Sequence, residues 1–63
     1  MNAFEALLDR IVKLETKAGN ISTGRVVYLH EQFVELEHRN GARSLVSYDS
    51  IASMAEIPEG VRA

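Results

Sequence analysis

The clearest pattern in the chain is an alternation of apolar and charged residues near its middle. Val34 and Leu36 fall on one face of an extended backbone, and Glu35 and Glu37 fall on the other. This period of two predicts a β-strand with one buried and one solvated face. The preceding run, VVYL, begins two residues after Gly24 and is apolar on both faces, which predicts a strand that bends. Residues 24–38 are therefore expected to form the centre of a small β-structure.

Further strand patterns flank this centre. Residues 11–18 alternate in the same way and predict a first strand, and residues 33–39 and 42–48 predict an antiparallel pair. The dipeptide Asn40-Gly41 lies between the two members of that pair. It favours a type I′ hairpin loop, in which both central residues have positive φ.

The pattern also predicts how the chain ends and which residues are buried. Asp49 and Ser50 predict a single tight turn, after which residues 51–57 form a last strand. The positions that face inward in this arrangement predict a core of Val26, Leu29, Val34, Leu36 and Val46.

A different period marks the N-terminal residues. Apolar side chains recur at i, i+3, i+4 and i+7, at Phe4, Leu7, Leu8 and Ile11. That spacing predicts one helical stripe over about residues 2–11. Asn2, with Glu5 three residues later, has the spacing of a capping box. We expect this helix to pack over one end of the β-structure, because so short a helix is unstable alone.

Size sets the expected organisation. The chain has 63 residues, so we expect a single domain over 1–63. The expected fold is mainly β, with a helix at 2–11, a bent, five-stranded, partly open barrel of the SH3-like type at 12–57, and a frayed tail at 58–63. A domain this small buries a modest core and usually needs a disulfide, a metal or a partner chain.

The missing burial is expected to come from self-association. The chain has no cysteine, which excludes a disulfide. The strands at 43–48 and 51–57 are short and mostly apolar, and exposed strand edges of this kind tend to pair. We therefore expect a homo-oligomeric ring in which strand 43–48 of one subunit pairs with strand 51–57 of the next.

Charge and hydropathy narrow the function classes. The formal net charge is −2 and the pI is about 5.6, which argues against a protein that coats nucleic acid by charge alone. No apolar stretch approaches the roughly 20 residues of a membrane span, and we expect a cytoplasmic protein with no membrane partner. His30 and His38 are too few for a structural metal site, and no group of residues predicts catalysis. We expect no cofactor, no metal and no enzyme activity.

Several positions follow the motifs of a known family. Gly19 and Gly24 keep its glycine spacing, and Phe33 stands at its methionine position. The run VSYDSI at 46–51 stands where its second motif lies. In these features the chain resembles the Sm-like family, which includes the LSm and Hfq proteins, as a divergent prokaryotic or phage-type member. The resemblance covers residues 3–57 and implies an N-terminal helix, five bent strands and a ring made by strand pairing between neighbours.

The resemblance also implies binding of single-stranded RNA by loops at the pore of the ring. This chain carries His30 at the position of the family's loop aspartate and Gln32 at its stacking position. Tyr48 and Asp49 stand in the second motif, where Tyr48 is able to stack on a base. Val34 replaces the asparagine that reads uracil, so the uridine pocket is degenerate. The expected RNA contacts are His30, Gln32, Tyr48 and Asp49.

Other charged residues leave two interpretations open. Arg39 and Arg43 flank the hairpin turn and form the expected secondary basic patch for a phosphate. Glu31, Glu35 and Glu37 are expected to form a solvated face without partners. The alternative function is a structural or adaptor ring that binds protein and does not bind RNA. The acidic pI and the substituted pocket favour this alternative, whereas the retained architecture favours RNA binding.

Overall fold

Five antiparallel strands form one sheet. The structure, a computed structural model, describes residues 4–58. The strands are β1 (Ile11–Thr16), β2 (Ile21–Leu29), β3 (Phe33–Glu37), β4 (Arg43–Ser47) and β5 (Ile51–Glu56). Their order across the sheet is β4-β3-β2-β1-β5, with antiparallel pairing throughout. The predicted five-stranded, mainly β fold is confirmed, and β4 and β5 are the two edges of the sheet.

A single apolar cluster forms the core. Its members, all fully buried, are Val12, Leu14, Val26, Val34 and Leu36. They come from the three central strands, where they occupy alternate positions on one face of the sheet. Val46 on one edge strand and Met54 on the other edge strand both pack against this cluster. The core therefore lies on one face of the sheet and extends to both of its edges.

The predicted core is confirmed in part. Val26, Val34 and Leu36 are fully buried. Leu29 and Val46 pack against the cluster but are only partly buried, because Leu29 ends β2 and Val46 lies in an edge strand.

Two irregularities interrupt the regular pairing of neighbouring strands. The register between β2 and β3 shifts between Val26 and Tyr28, and the register between β1 and β5 shifts between Glu15 and Thr16. Extra residues of this kind bend the strand and increase its twist. The predicted bend in the VVYL run is placed by the first of these shifts.

Gly24 marks a close approach between β2 and β3. A Cβ atom at this position would lie 2.9 Å from the carbonyl oxygen of Glu37 and 3.4 Å from the ring of His38. The glycine is needed here for space, because a side chain would meet backbone that cannot move cheaply. The His38 ring reinforces the approach, since its Nδ1 lies 3.0 Å from the carbonyl oxygen of Thr23 on β2.

The hairpin between β3 and β4 is confirmed, but its predicted type I′ turn is wrong. Gly41 has a φ of 87°, whereas Asn40 is not among the described residues with positive φ. The Gly41 amide donates to the carbonyl of His38 at 2.9 Å, and the His38 amide donates to Ala42 at 2.8 Å. This is a type I turn followed by a glycine in the left-handed region, a three-residue alternative to the type I′ loop. The Asn40 side chain accepts from the Ala42 amide instead.

The predicted N-terminal helix over 2–11 is wrong for the residues that the structure describes. Only a 3₁₀ turn at Glu5–Leu7 forms, while residues 2 and 3 lie outside the described range. Asp9 has a φ of 69°, which ends any helical path. Its amide donates to the carbonyl of Val26 at 2.7 Å, so the chain is already paired with β2 before β1 begins at Ile11. A short helix gains too little to compete with this pairing.

The apolar stripe of the expected helix is divided by this change. Leu7 packs against the core, and Phe4 is half-buried, but Leu8 is 46% exposed. Ile11 joins the first strand. The described segment thus covers the core with one leucine rather than with a continuous helical face.

The connection between β4 and β5 and the C-terminal end of the sheet differ slightly from the prediction. A second 3₁₀ turn, Tyr48–Ser50, joins β4 to β5 where a single tight turn was expected. The final strand ends at Glu56, one residue short of the predicted 51–57. Of the expected frayed tail, residues 59–63 lie outside the described range. Nowhere in residues 4–58 is there a helix of the length and apolar character that a membrane span requires.

The core assignment predicts different costs for two leucines on neighbouring strands. Leu36→Ala should lower the free energy of unfolding by about 2–5 kcal/mol, because it opens a cavity in the core. Leu45→Ala is the matched control, since Leu45 is 61% exposed, and it should change stability by less than about 0.5 kcal/mol. Urea unfolding followed by circular dichroism measures both. Equal costs for the two variants would contradict the assignment.

Candidate functional site

The fold brings together the residues that were predicted to contact RNA. The turn between β2 and β3 contains His30 and Gln32, and it lies against the 3₁₀ turn that contains Tyr48 and Asp49. The Tyr48 amide donates to the carbonyl of Gln32 at 3.2 Å, and the Tyr48 hydroxyl donates to the carbonyl of His30 at 2.8 Å. One tyrosine therefore fastens the two turns together from both its backbone and its side chain.

Tyr48 is half-buried and already has an aromatic partner. Its ring stacks on the ring of Phe4, with centroids 5.5 Å apart and an angle of 19° between the planes. It also packs against the hydrophobic core. A nucleobase that stacked on Tyr48 would have to compete with the Phe4 contact. The main role of Tyr48 is therefore to hold the two turns of the site in position.

His30 turns towards the outer face of the sheet. Its Nε2 lies 2.8 Å from a carboxylate oxygen of Glu35. Because a carboxylate only accepts, this nitrogen carries the proton and donates. The other contact of the ring is with Tyr28, at a centroid distance of 4.4 Å. The Nε2 hydrogen of His30, which was expected to bond a nucleobase, is donated to Glu35 instead.

Glu35 is the centre of a small charged network. Arg43 donates to the second oxygen of Glu35 at 3.0 Å and lies 3.5 Å from a carboxylate oxygen of Glu37. The hydrogen bond from His30, and next the one from Arg43, hold the pKa of Glu35 below its ordinary value. The hydrogen bond to Glu35 raises the pKa of Arg43. The expectation that Glu35 and Glu37 lack partners is wrong.

This network changes the expected basic patch. Arg43 is shared by two carboxylates and offers little attraction to a phosphate. Arg39 is exposed and enters no ion pair with any residue between positions 4 and 58. Of the two arginines at the hairpin, Arg39 therefore has a charge available for a ligand, and Arg43 does not.

Between the two turns lies a shallow cleft of about 270 Å³. Its lining residues are Glu31, Gln32, Ser47, Tyr48 and Asp49. Gln32 is exposed and supplies an amide, which both donates and accepts hydrogen bonds. The Ser47 hydroxyl accepts from the Asp49 amide at 3.2 Å and holds the start of the turn. The carboxylates of Glu31 and Asp49 make the cleft unfavourable for a phosphate.

The remaining clusters of charge are surface ion pairs. Arg10 lies 3.8 Å from Glu56, and Arg25 lies 3.7 Å from Asp9. Such long, exposed pairs contribute little to stability. Residues 4–58 contain no group of three or more histidine, cysteine or acidic side chains that is placed to hold a metal ion.

The network around Glu35 was missed by the sequence interpretation. Part of it could have been found, because the Asn40-Gly41 hairpin places residues 37 and 43 opposite each other, and this predicts a cross-strand ion pair. The contact between Tyr28 and Glu35 depends on the register shift in β2. The VVYL run predicts a bend in this strand, but it does not give the pairing that results from the shift.

Comparison with known proteins found no relative of this chain. No family model, no curated protein and no solved structure matches this chain.

The network predicts a pH dependence of stability. Since the pKa of Glu35 is lower in the folded chain than its ordinary value of 4.5, its stabilising contribution is complete above that value. It is lost as the pH falls through the lowered folded pKa. Glu35→Gln should therefore flatten the fall of unfolding free energy between about pH 5 and pH 3. Urea titrations at several pH values measure this, and parallel curves for parent and variant would contradict the network.

Proposed function

We propose that this chain is an Sm-like protein that assembles into a homo-oligomeric ring and binds single-stranded RNA weakly at the turns around the pore. The observation that carries the proposal is the strand order. It leaves β4 and β5 as open edges at opposite ends of one curved sheet. Two open edges on a chain this small favour pairing between copies.

The finer fold in this proposal is a bent, partly open barrel of the Sm-like type. The five core residues on one face of the sheet are fully buried although residues 4–58 form no second layer of helix or sheet, which supports curling of the sheet. The register shift in β2 and the close approach at Gly24 support a sharp bend in the strands that follow. The chain also has the five strands that the resemblance implies, although not its N-terminal helix.

The hydrogen-bond pattern shows which backbone groups of β4 face outward. The Tyr48 amide donates to Gln32 on the β3 side. In an antiparallel pair, the direction of the backbone groups alternates from residue to residue. The amides of Ser44 and Val46 consequently point to β3, and the amide of Leu45 points away from the sheet.

The same reasoning applies to the opposite edge. The Ile57 amide donates to the carbonyl of Ile11 at 2.8 Å. By alternation the Ala55 amide points to β1, and the amides of Met54 and Glu56 point outward. Each edge therefore offers a row of donors and acceptors. Head-to-tail pairing of β4 with β5 of a neighbour closes a ring, for which we propose about five to seven subunits.

Proline at an outward-facing amide tests this assembly. Leu45→Pro removes a donor that β3 does not use, so the subunit should still fold, while pairing between subunits should fail. Sedimentation velocity should show an oligomer for the parent chain and a monomer for Leu45→Pro. Leu45→Ala keeps the amide and should remain oligomeric. A parent chain that sediments as a folded monomer at micromolar concentration would contradict the ring.

The RNA part of the proposal rests on the cleft between the two turns. Gln32 offers an amide to a base edge, and the half-buried Tyr48 ring fixes the two turns that carry the site. The cleft contains Glu31 and Asp49, and no cation is among its lining residues within the described part of the chain. Phosphate contacts are consequently few, and we expect low affinity and a shallow dependence on salt.

A matched pair of amide variants tests the RNA site. Gln32→Ala should weaken binding of oligo-U or oligo-A by about 2- to 12-fold, the value of one hydrogen bond. Asn20→Ala removes an exposed amide in another turn and should leave binding unchanged. Fluorescence anisotropy at two salt concentrations measures both. Tight, uridine-selective binding that survives Gln32→Ala would place the RNA site elsewhere.

A second candidate is a ring that binds protein and does not bind RNA. The observation that favours it is electrostatic, since two carboxylates line the cleft and Arg43 is neutralised by Glu35 and Glu37. An oligomer that binds neither oligonucleotide at low salt would select this candidate.

A further inference from the structure

The outer face of β2, β3 and β4 carries an exposed apolar surface. Tyr28, Glu35 and Leu45 form one row across these strands, because Tyr28 pairs with Glu35 and Glu35 pairs with Leu45. Tyr28 is 58% exposed and Leu45 is 61% exposed. Phe33 lies two residues from Glu35 on the same face and is 41% exposed. We name Tyr28, Phe33, Glu35, Glu37 and Leu45 together the Glu35 face.

The Glu35 face is held in place by the network already described. His30 contacts both the Tyr28 ring and the Glu35 carboxylate. Arg43 fixes the other side of that carboxylate. A surface whose side chains are ordered before binding loses less entropy when a partner docks. Clustered apolar side chains that remain exposed in this way mark interaction sites.

The charge of the Glu35 face indicates which kind of partner can bind there. Glu35 and Glu37 share one ion-paired cation, Arg43. Arg25, opposite Glu37 on β2, is ion-paired with Asp9 instead, which leaves an excess of negative charge between the apolar side chains. A second copy of this face would bring acid against acid, and an RNA backbone would bring phosphate against carboxylate. A protein segment with lysine or arginine beside apolar side chains complements both features.

We propose that the Glu35 face docks a basic protein segment whose apolar side chains contact Tyr28, Phe33 and Leu45 and whose cations pair with Glu35 and Glu37. This site is separate from the cleft that contains Gln32. It remains open if β4 pairs with β5 of a neighbour, because the outer-face residues of β5 near that edge, Ser53 and Ala55, are small. The inference therefore stands apart from both the ring and the RNA proposals.

Two synthetic peptides serve as probes, one that alternates leucine with lysine and one with glutamate in place of each lysine. The lysine peptide should shift the amide NMR signals of residues 28, 33 and 45 of the full chain, and the glutamate peptide should not. Tyr28→Ser and Leu45→Ser should each weaken binding of the lysine peptide at least about fivefold, as for central contacts of an interface.

A control on the same sheet separates this site from non-specific adhesion. Ile21 is as exposed as Tyr28, at 58%, but lies at the other end of β2, and Ile21→Ser should leave binding unchanged. Equal binding of the two peptides, or equal loss with Ile21→Ser, would overturn the proposal. So would oligo-U shifting the same amide signals more strongly than the lysine peptide does.

Discussion

The structure depends on a core of few side chains. Three central strands supply every fully buried apolar residue among the described ones, and these residues form a single cluster. So small a core cannot order many elements by burial alone. The outer parts of the fold are held instead by specific hydrogen bonds. Asp9 pairs with Val26, Lys17 pairs with Ser50, and Tyr48 bonds to both Gln32 and His30.

The same limit explains the edges. β4 and β5 pack on the core through partly buried residues and leave one side of each backbone without a strand partner among residues 4–58. Partners on this unpaired side would add burial that the monomer lacks, which is the physical reason for the proposed ring. The outer face of the sheet has a different character, because its apolar residues surround carboxylates. The proposed partners therefore differ, with a second copy at the edges and a basic segment at the Glu35 face.

The sequence predicted what depends on local pattern. Period-two alternation located β1 and β3, and Asn40-Gly41 located the hairpin, since both signals act over a few residues. The N-terminal helix failed because the i, i+3, i+4 spacing of its apolar residues cannot reveal competing backbone pairs. Asp9 pairs with Val26 on β2, and Ile11 pairs with Ile57 just after β5, both distant in sequence. The turn type was also wrong, because a glycine in the left-handed region suits both a type I′ loop and a three-residue loop.

The candidate site was predicted in position but not in detail. His30, Gln32, Tyr48 and Asp49 lie on two turns that meet, and only the family resemblance had grouped them. The role of each side chain depends on its partners across strands. Those partners are set by register, and a register shift between Val26 and Tyr28 changes which residue faces Glu35.

Hydrogen exchange of single edge amides tests most directly the claim that the two edges pair between copies. The inward-facing amides of Val46 and Ala55 should be protected at all concentrations. The outward-facing amides of Leu45 and Met54 should be protected at high concentration and should exchange rapidly on dilution. Rapid exchange of Leu45 and Met54 at every concentration, with Val46 and Ala55 protected throughout, would contradict the account.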